Sequence, residues 1–404
     1  MSLLDDVSIV VTPNGYKAGE LYAVIPSDGA ADMDVTRATD ATRVNESGLI
    51  EDVLANVPRI DYTGGGCPHI LAEPQRTNLI TYSEDFSDSS WANSNISETI
   101  STVLSPDGTT YSYKLTNDSA SGNHFVRDNS TVTSGVPYTL SVFIKKGTRD
   151  IVSIADGFNV NVLANFDLTN GTSTNVSATS SSIESLNNDW YKCIATITPT
   201  TTTLGLMIFS GIVYAGKDES GDFYVWGASL EQGSYATSYI PTSGSTVTRN
   251  QDIFTRDGIS SLINSTEGVL FVEMAALRPA GANSEFIVIS NGTYNDNSVY
   301  IQLRNGANQF AVWAYSGGVY QIAEIITLTD ITDFNKIAIK WKLNDFEVVV
   351  NGSSVYSLAT YTAPTGLDRI EFSRNGSANF YGKVKQLQVY KTALTDTQLA
   401  ALTS

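Results

Sequence analysis

Short alternations of apolar and polar residues run along most of this chain, each about five to nine residues long, the length and period of β-strands. Tyr111, Tyr113 and Leu115 alternate in TTYSYKLT, and Tyr138, Leu140, Val142 and Ile144 alternate in YTLSVFIK. Trp190 to Thr198 and Leu204 to Phe209 follow. Phe223 to Glu231 closes the set, with Tyr224, Trp226, Ala228 and Leu230 spaced to share one face. Clusters of Ser, Thr, Asn and Gly separate these runs, and no helical period appears. Residues 76–240 therefore read as two stacked antiparallel sheets, a β-sandwich.

The strand at Phe223 dissolves into GSYATSYIPTSGSTVTR, which marks 241–260 as a linker. Residues 261–404 read as a second sandwich. In KIAIKWK, Ile337, Ile339 and Trp341 alternate with Lys336, Ala338, Lys340 and Lys342, which predicts one buried face and one wet, lysine-lined face. FEVVVNG ends on Asn351-Gly352, a hairpin-turn signal. Near the end, Thr395 is placed to cap a helix with Gln398 as its capping-box partner, and Leu394 to staple onto Leu399. The expected fold is all-β: two tandem antiparallel β-sandwiches of the jelly-roll kind, after a small N-terminal segment, with one short C-terminal helix. Residues 1–75 hold short strand-like pieces, LYAVI and VPRIDY, between turns. Their apolar content is thin for an independent core, so they are expected to pair with a neighbouring subunit or dock on a larger body.

Composition narrows the class. Charged residues are 16% of the 404, well under the usual ~25%, so the polar surface is mostly hydroxyls, amides and glycine. The formal net charge is −18. Residues 1–75 carry 12 acids against 4 bases, 76–260 carry 18 against 10, and 261–404 carry 12 against 10. No segment is basic, which argues against a nucleic-acid partner. MSLLDDVSIV lacks the features of a signal peptide, and no apolar run approaches membrane-spanning length, so synthesis in a cytoplasm without membrane insertion is expected.

Candidate chemistry is sparse. Of two cysteines, Cys193 alternates with buried positions in WYKCIATIT, and Cys67 sits in a Gly/Pro loop. His69 lies two residues after Cys67 without a third orienting group, and His124 sits beside Phe125 and Val126. No nucleophile elbow, zinc-protease motif or phosphate loop occurs, so no enzymatic activity and no cofactor are expected. Asp218, Glu219 and Asp222 form a compact acidic turn, a weak candidate for a structural calcium, and Asp32 and Asp34 alternate on one side elsewhere. In QFAVWAYSGGVYQ, Trp313 and Tyr315 lie opposite Phe310, Val312 and Ala314, and Tyr320 follows a Gly317-Gly318 turn. Exposed aromatics of this kind suit stacking on a sugar ring; core or subunit-interface aromatics are the plainer account.

Two stretches resemble known families. TEGVLFVEM, FNKIAIKWK with FEVVVNG, and FYGKVKQLQVYKTALTDTQLAAL make residues 261–404 similar to the laminin-G-like, concanavalin-type sandwich. RTNLITYSEDFSDSSW, SPDGTTYSYKLT, YTLSVFIKKGT, WYKCIATIT and FYVWGASLEQGSYATSYIPT make residues 76–240 resemble the carbohydrate-binding-like jelly rolls of bacteriophage head-spike and tail-fibre proteins. DVTRATDATRVNESGLIEDVLANVPRIDY looks like the leading segment of such proteins. In sugar-binding relatives an Asp that helps ligate calcium stands where this chain has Trp226. The resemblance implies a non-enzymatic virion appendage, a head spike, head fibre or tail fibre, most often a homotrimer. Residues 1–75 would attach it to other virion proteins, and its sandwiches would touch host-surface glycans, with Trp313, Tyr315 and Tyr320 as sugar contacts. The alternatives are a capsid decoration protein without sugar binding and a tailspike-type polysaccharide depolymerase.

Overall fold

Alternating apolar positions do form strands, and nearly all of them pair antiparallel in the computed structural model, which describes residues 6–118, 122–159, 161–211, 220–279 and 285–404. The chain divides into two bodies. One takes residues up to Asp40, Val53–Pro74 and Asn250–Ser404; the other takes Ala41–Asp52 and Gln75–Arg249. The second body is thus inserted into the sequence of the first.

In the first body, 16 strands join in one sheet that packs its two ends against each other. Ile287, Ile301 and Val312 from one end share a core with Val272, Ile339 and Val348 from the other. Sequence reasoning set residues 1–75 apart, but the strand Val7–Lys17 lies between Glu20–Ile25 and the last strand, Gly382–Tyr390, with Val10 opposite Gln388 and Val11 opposite Leu387. Ile9 and Val11 enter the main core, so the apolar shortage seen locally is made up by residues far along the chain. The stretch expected as a linker also carries strands: Val247–Arg249 pairs with Arg76–Asn78, and Ile253–Arg256 with Met33–Thr36.

Part of the binding of this N-terminal stretch is ionic. Arg37 Nη1 lies 3.0 Å from Asp252 Oδ1, Arg59 Nη1 lies 2.6 Å from Glu73 Oε2, and Arg59 also bonds Asp252. All four side chains are buried. Arg37 donates further to the carbonyls of Val53, Leu54 and Val57. Removing one partner of a buried ion pair leaves the other charge unpaired, so these contacts tie the N-terminal strands to Asp252 and Glu73.

The lysine-lined face predicted for KIAIKWK is wet at its ends, Lys336 and Lys342, but not at its centre. Lys340 is buried, with Asp345, Glu347 and Asp396 at 2.9, 3.0 and 3.2 Å. Ala338 belongs to a second cluster with Val7, Val10, Val269, Leu394 and Leu399. The cover comes from the helix Asp396–Thr403 and the N-terminal strand, neither of which the local alternation reveals. The helix itself begins as expected. Gln398 N donates to Thr395 Oγ1, Thr395 N donates to Gln398 Oε1, and Leu394 and Leu399 share the cluster beneath.

The second body stacks two six-stranded sheets. Tyr138–Lys146 lies between Asp222–Gln232 and Trp190–Ile197 in one; Thr203–Ser210 lies between Ile151–Asp156 and Phe125–Thr131 in the other. The even spacing of Tyr224, Trp226, Ala228 and Leu230 does not put them on one face. Phe223 and Val225 enter the inter-sheet core, whereas Tyr224 and Trp226 turn away from it. At Gly227 the backbone adopts φ +61°, and the register against Tyr138–Lys146 slips between Ser141 and Phe143. This bulge changes the phase, so Ala228 and Leu230 rejoin the core. Trp226 packs against Phe143 at 5.5 Å and Tyr239 at 4.6 Å, under Ile50 from the inserted N-terminal piece.

Candidate functional site

Four neighbouring strands of the first body, Glu285–Ser290, Ser298–Leu303, Gln309–Ser316 and Val319–Thr327, each send alternate residues to opposite sides. Ile287, Ile289, Val299, Ile301, Phe310, Val312 and Ile322 fill the core. The other face carries Phe286, Val288, Tyr300, Trp313 and Tyr315, joined by Tyr294 from the loop before the second strand. Residues directly opposite on antiparallel strands share a side, and the register sets Tyr300 beside Trp313 and Tyr315 beside Tyr320.

The rings line up. Trp313 lies 6.2 Å from Tyr300 at 15°, Tyr315 lies 6.4 Å from Tyr300 at 9°, and Trp313 and Tyr315 are 6.4 Å apart at 15°. Tyr300 is buried beneath Trp313 and Tyr315, which stay half exposed. Burial, and then the nearby Tyr315 and Tyr294, push the Tyr300 hydroxyl well above the usual phenol range, so it stays neutral. Trp313 Nε1 donates to Gln302 Oε1 at 2.8 Å, which fixes the indole. Gly317 and Gly318 have φ of +56° and +78°, the two positive values of a tight hairpin turn. That turn brings Tyr320 back opposite Tyr315, where it is 64% exposed. The three aromatics expected from the sequence therefore share a face. Trp313 and Tyr315 form part of the ring set, and Tyr320 stands at its exposed flank.

Sequence reasoning missed the rest of the set. Phe286 packs 5.7 Å from Tyr300, and Tyr294 lies 6.2 Å from it, edge-on. Arg374 lays its guanidinium over both, 5.0 Å from the Phe286 ring and 4.7 Å from the Tyr294 ring. Arg374 begins a hairpin closed by Arg374 N to Ser377 O at 2.9 Å and Ser377 N to Arg374 O at 3.1 Å, with Asn375 and Gly376 at positive φ. Buried Glu371 braces that turn by accepting from Ser373 Oγ, Asn375 N and Gly376 N. The Asn-Gly pair was a legible turn signal; what it presents was not.

The acidic turn fares differently. Asp218 and Glu219 lie outside the described residues. Asp222 gives one carboxylate oxygen to Lys114 Nζ at 2.8 Å and the other to Thr148 N at 3.0 Å. Burial raises its pKa, and Lys114 and Thr148 outweigh that, holding it below the ordinary value. Among the described residues no group of three or more His, Cys, Asp or Glu side chains converges as a metal site.

Cys67 is exposed and Cys193 buried. His69 is buried against Phe334, with Asp61 Oδ1 3.3 Å from its Nε2. His124 is buried, its Nδ1 2.5 Å from the Asn95 carbonyl. In the second body a cleft of about 460 Å³ is lined by Arg76, Thr131, Thr133, Tyr138 and Gln232, with Arg76 over the Tyr235 ring at 5.3 Å. It brings together the opening and closing phrases of that sandwich.

Residues 275–400 match the family model of the concanavalin A-like lectin/glucanases superfamily of laminin G type. The C-terminal sandwich thus carries a concanavalin-like, laminin G-type domain. A search of curated protein sequences finds no match. Among solved structures, the Ruminococcus gnavus IT-sialidase CBM40 bound to α2,3-sialyllactose is 18% identical over 36% of this chain and 86% of its own, with a TM-score of 0.30. Domain 4 of the Geobacillus stearothermophilus arabinanase AbnA is 16% identical over 43% and 83%, with a TM-score of 0.30. Domains LG4-5 of the mouse laminin alpha1 chain are 10% identical over 66% and 88%, with a TM-score of 0.25. Scores of this size carry no argument about function.

Proposed function

We propose that this chain is a non-enzymatic adhesion protein of a bacteriophage virion, a head spike, head fibre or tail fibre, that holds host-surface glycans on the outer aromatic face of its first body. The observation that carries the sugar reading is the near-parallel set of Tyr300, Trp313 and Tyr315 on a sheet face, with Trp313 and Tyr315 half open to solvent. A pyranose ring presents a flat apolar face of C–H bonds, and stacked aromatics match it without any titrating group. The match of residues 275–400, which include these strands, to the concanavalin A-like lectin/glucanases superfamily supports the sugar reading. The virion role rests on the phage-like phrases of residues 76–240 and of the N-terminal segment. On this reading the protein works as a homotrimer attached to other virion proteins.

Trp313→Ala is expected to weaken binding to host polysaccharide by about tenfold or more, the cost of losing one anchoring aromatic, with an unchanged melting temperature as the control for folding. Intact Trp313→Ala protein that binds as well as the parent would remove this face from consideration. Release of reducing ends during the same incubation would instead establish a depolymerase. Antibody labelling of purified particles tests the virion role, and particles without the protein would refute it.

A further inference from the structure

Arg374 differs from most cations of this chain in having its donors open. Its guanidinium lies over the Phe286 and Tyr294 rings, and its backbone is fixed by a turn that buried Glu371 braces. Yet among the described residues no carboxylate lies within ion-pair distance of it, and no side-chain hydrogen bond uses its nitrogens. Other arginines of the same body are engaged: Arg278 with Glu285 at 2.7 Å, Arg369 with Asp257, and Arg37 and Arg59 with Asp252. This is unexpected in a chain with 42 acids and 24 bases, where acidic partners are in excess.

Three acids on the strands and turns that carry the aromatic face already have partners of their own. Glu285 takes Arg278, Asp296 accepts from Asn291 Nδ2 at 2.8 Å, and Glu371 is spent on its turn. Residues 261–404, with 12 acids against 10 bases, account for little of the chain's negative charge. A guanidinium that covers aromatic rings with one face still has its N–H donors at the rim of its own plane, where a fork can make two parallel bonds to a carboxylate or sulfate.

We infer that the glycan taken by this face is acidic, with a carboxylate or sulfate on one sugar paired to Arg374 and a neighbouring sugar stacked on Trp313 and Tyr315. This rests on the sugar-binding reading of the same face. The aromatic contacts supply apolar area without regard to charge, and Arg374 supplies the selection. Uronic-type sugars and sulfated sugars offer the same anionic oxygens, so the experiment separates them.

The test is a printed array of neutral, carboxylated and sulfated glycans read with the full chain, with Arg374→Gln and with Trp313→Ala. Binding is expected on acidic glycans and about tenfold weaker, or absent, on neutral counterparts of the same backbone. Arg374→Gln is expected to remove that preference while leaving weak binding to the neutral counterparts, and added salt is expected to weaken only the acidic contacts. Signal on carboxylated spots alone identifies the carboxylate, and on sulfated spots alone the sulfate. Equal binding to neutral glycans, lost in Trp313→Ala and untouched in Arg374→Gln, overturns the acidic-ligand inference and keeps the sugar reading. No binding to any glycan overturns both. An Arg374→Gln chain with a lowered melting temperature is replaced by Arg374→Lys, which keeps charge but loses the fork and is expected to recover only part of the preference.

Discussion

His69 shows what burial does to one titrating residue here. Removal from water holds its pKa at about 4, and although Asp61 pulls it up, Lys383 and Lys385 push it down with burial. The unfolded chain takes up this proton near the ordinary 6.5, so between that pH and about 4 the unfolded state binds more protons than the native one. The stability of the native state is complete above pH 6.5 and falls as pH drops toward 4, by about 3 kcal/mol from this residue at its fullest. Asp128, raised by burial to about 6, works in the opposite sense, gaining stability as it protonates. The clean readout is therefore the difference between the parent and His69→Gln. Urea midpoints from pH 7 to pH 4.5 are expected to fall more steeply in the parent, and parallel curves would show that His69 is not the source. At this scale the sequence made Trp313 and Tyr315 visible because their partners on the strand are obvious core residues. Arg374 stayed hidden because Phe286 and Tyr294, the rings it covers, lie far earlier in the chain.

Among elements, the strand Asp222–Gln232 carries the sharpest departure from simple alternation. Gly227 occupies a left-handed backbone conformation, and a Cβ there would meet Phe143 Cδ2 at 2.8 Å and Tyr239 Cε2 at 3.3 Å. Gly227→Ala is expected to cost about 2–4 kcal/mol, from the backbone and from crowding together, read as a shift in the denaturation midpoint. An unchanged midpoint would mean that the bulge relaxes at no cost. Most strands and the helix cap were legible because their signals are local: alternation, Asn-Gly turns, and Thr395 with Gln398. The bulge was not, since YVWGASL scans as unbroken alternation and only the pairing with Tyr138–Lys146 shows the slipped residue. Nor was the cover over Lys340, since a lysine at a regular outward position reads as solvent-facing until its three carboxylate partners are known.

At the scale of the whole molecule, the C-terminal sandwich is not self-sufficient. Residues 261–404 alone lack the strand Val7–Lys17, which pairs with Gly382–Tyr390, and lack Asp252 with the buried arginines it holds. That fragment would expose one side of a core strand and is expected to be insoluble or to melt without cooperativity. A chain in which short flexible linkers join Asp40 to Val53 and Pro74 to Asn250 keeps every strand of the first body and is expected to melt cooperatively. Circular dichroism melts of the two proteins decide the matter, and a cooperative transition in the 261–404 fragment would refute the dependence on the N-terminal strands.

The pairing of Val7–Lys17 with Gly382–Tyr390 also sets a timetable for the growing polypeptide. On the ribosome, the first strand emerges long before its neighbour has been synthesised, while Gln75–Arg249 appears as an almost continuous block with its own core. The inserted body is free to fold during translation, whereas the body that contains the aromatic face closes only once Gly382–Tyr390 has emerged. Until then the N-terminal strand waits with Ile9 and Val11 uncovered, and the aromatic face is completed after the inserted body has had time to form.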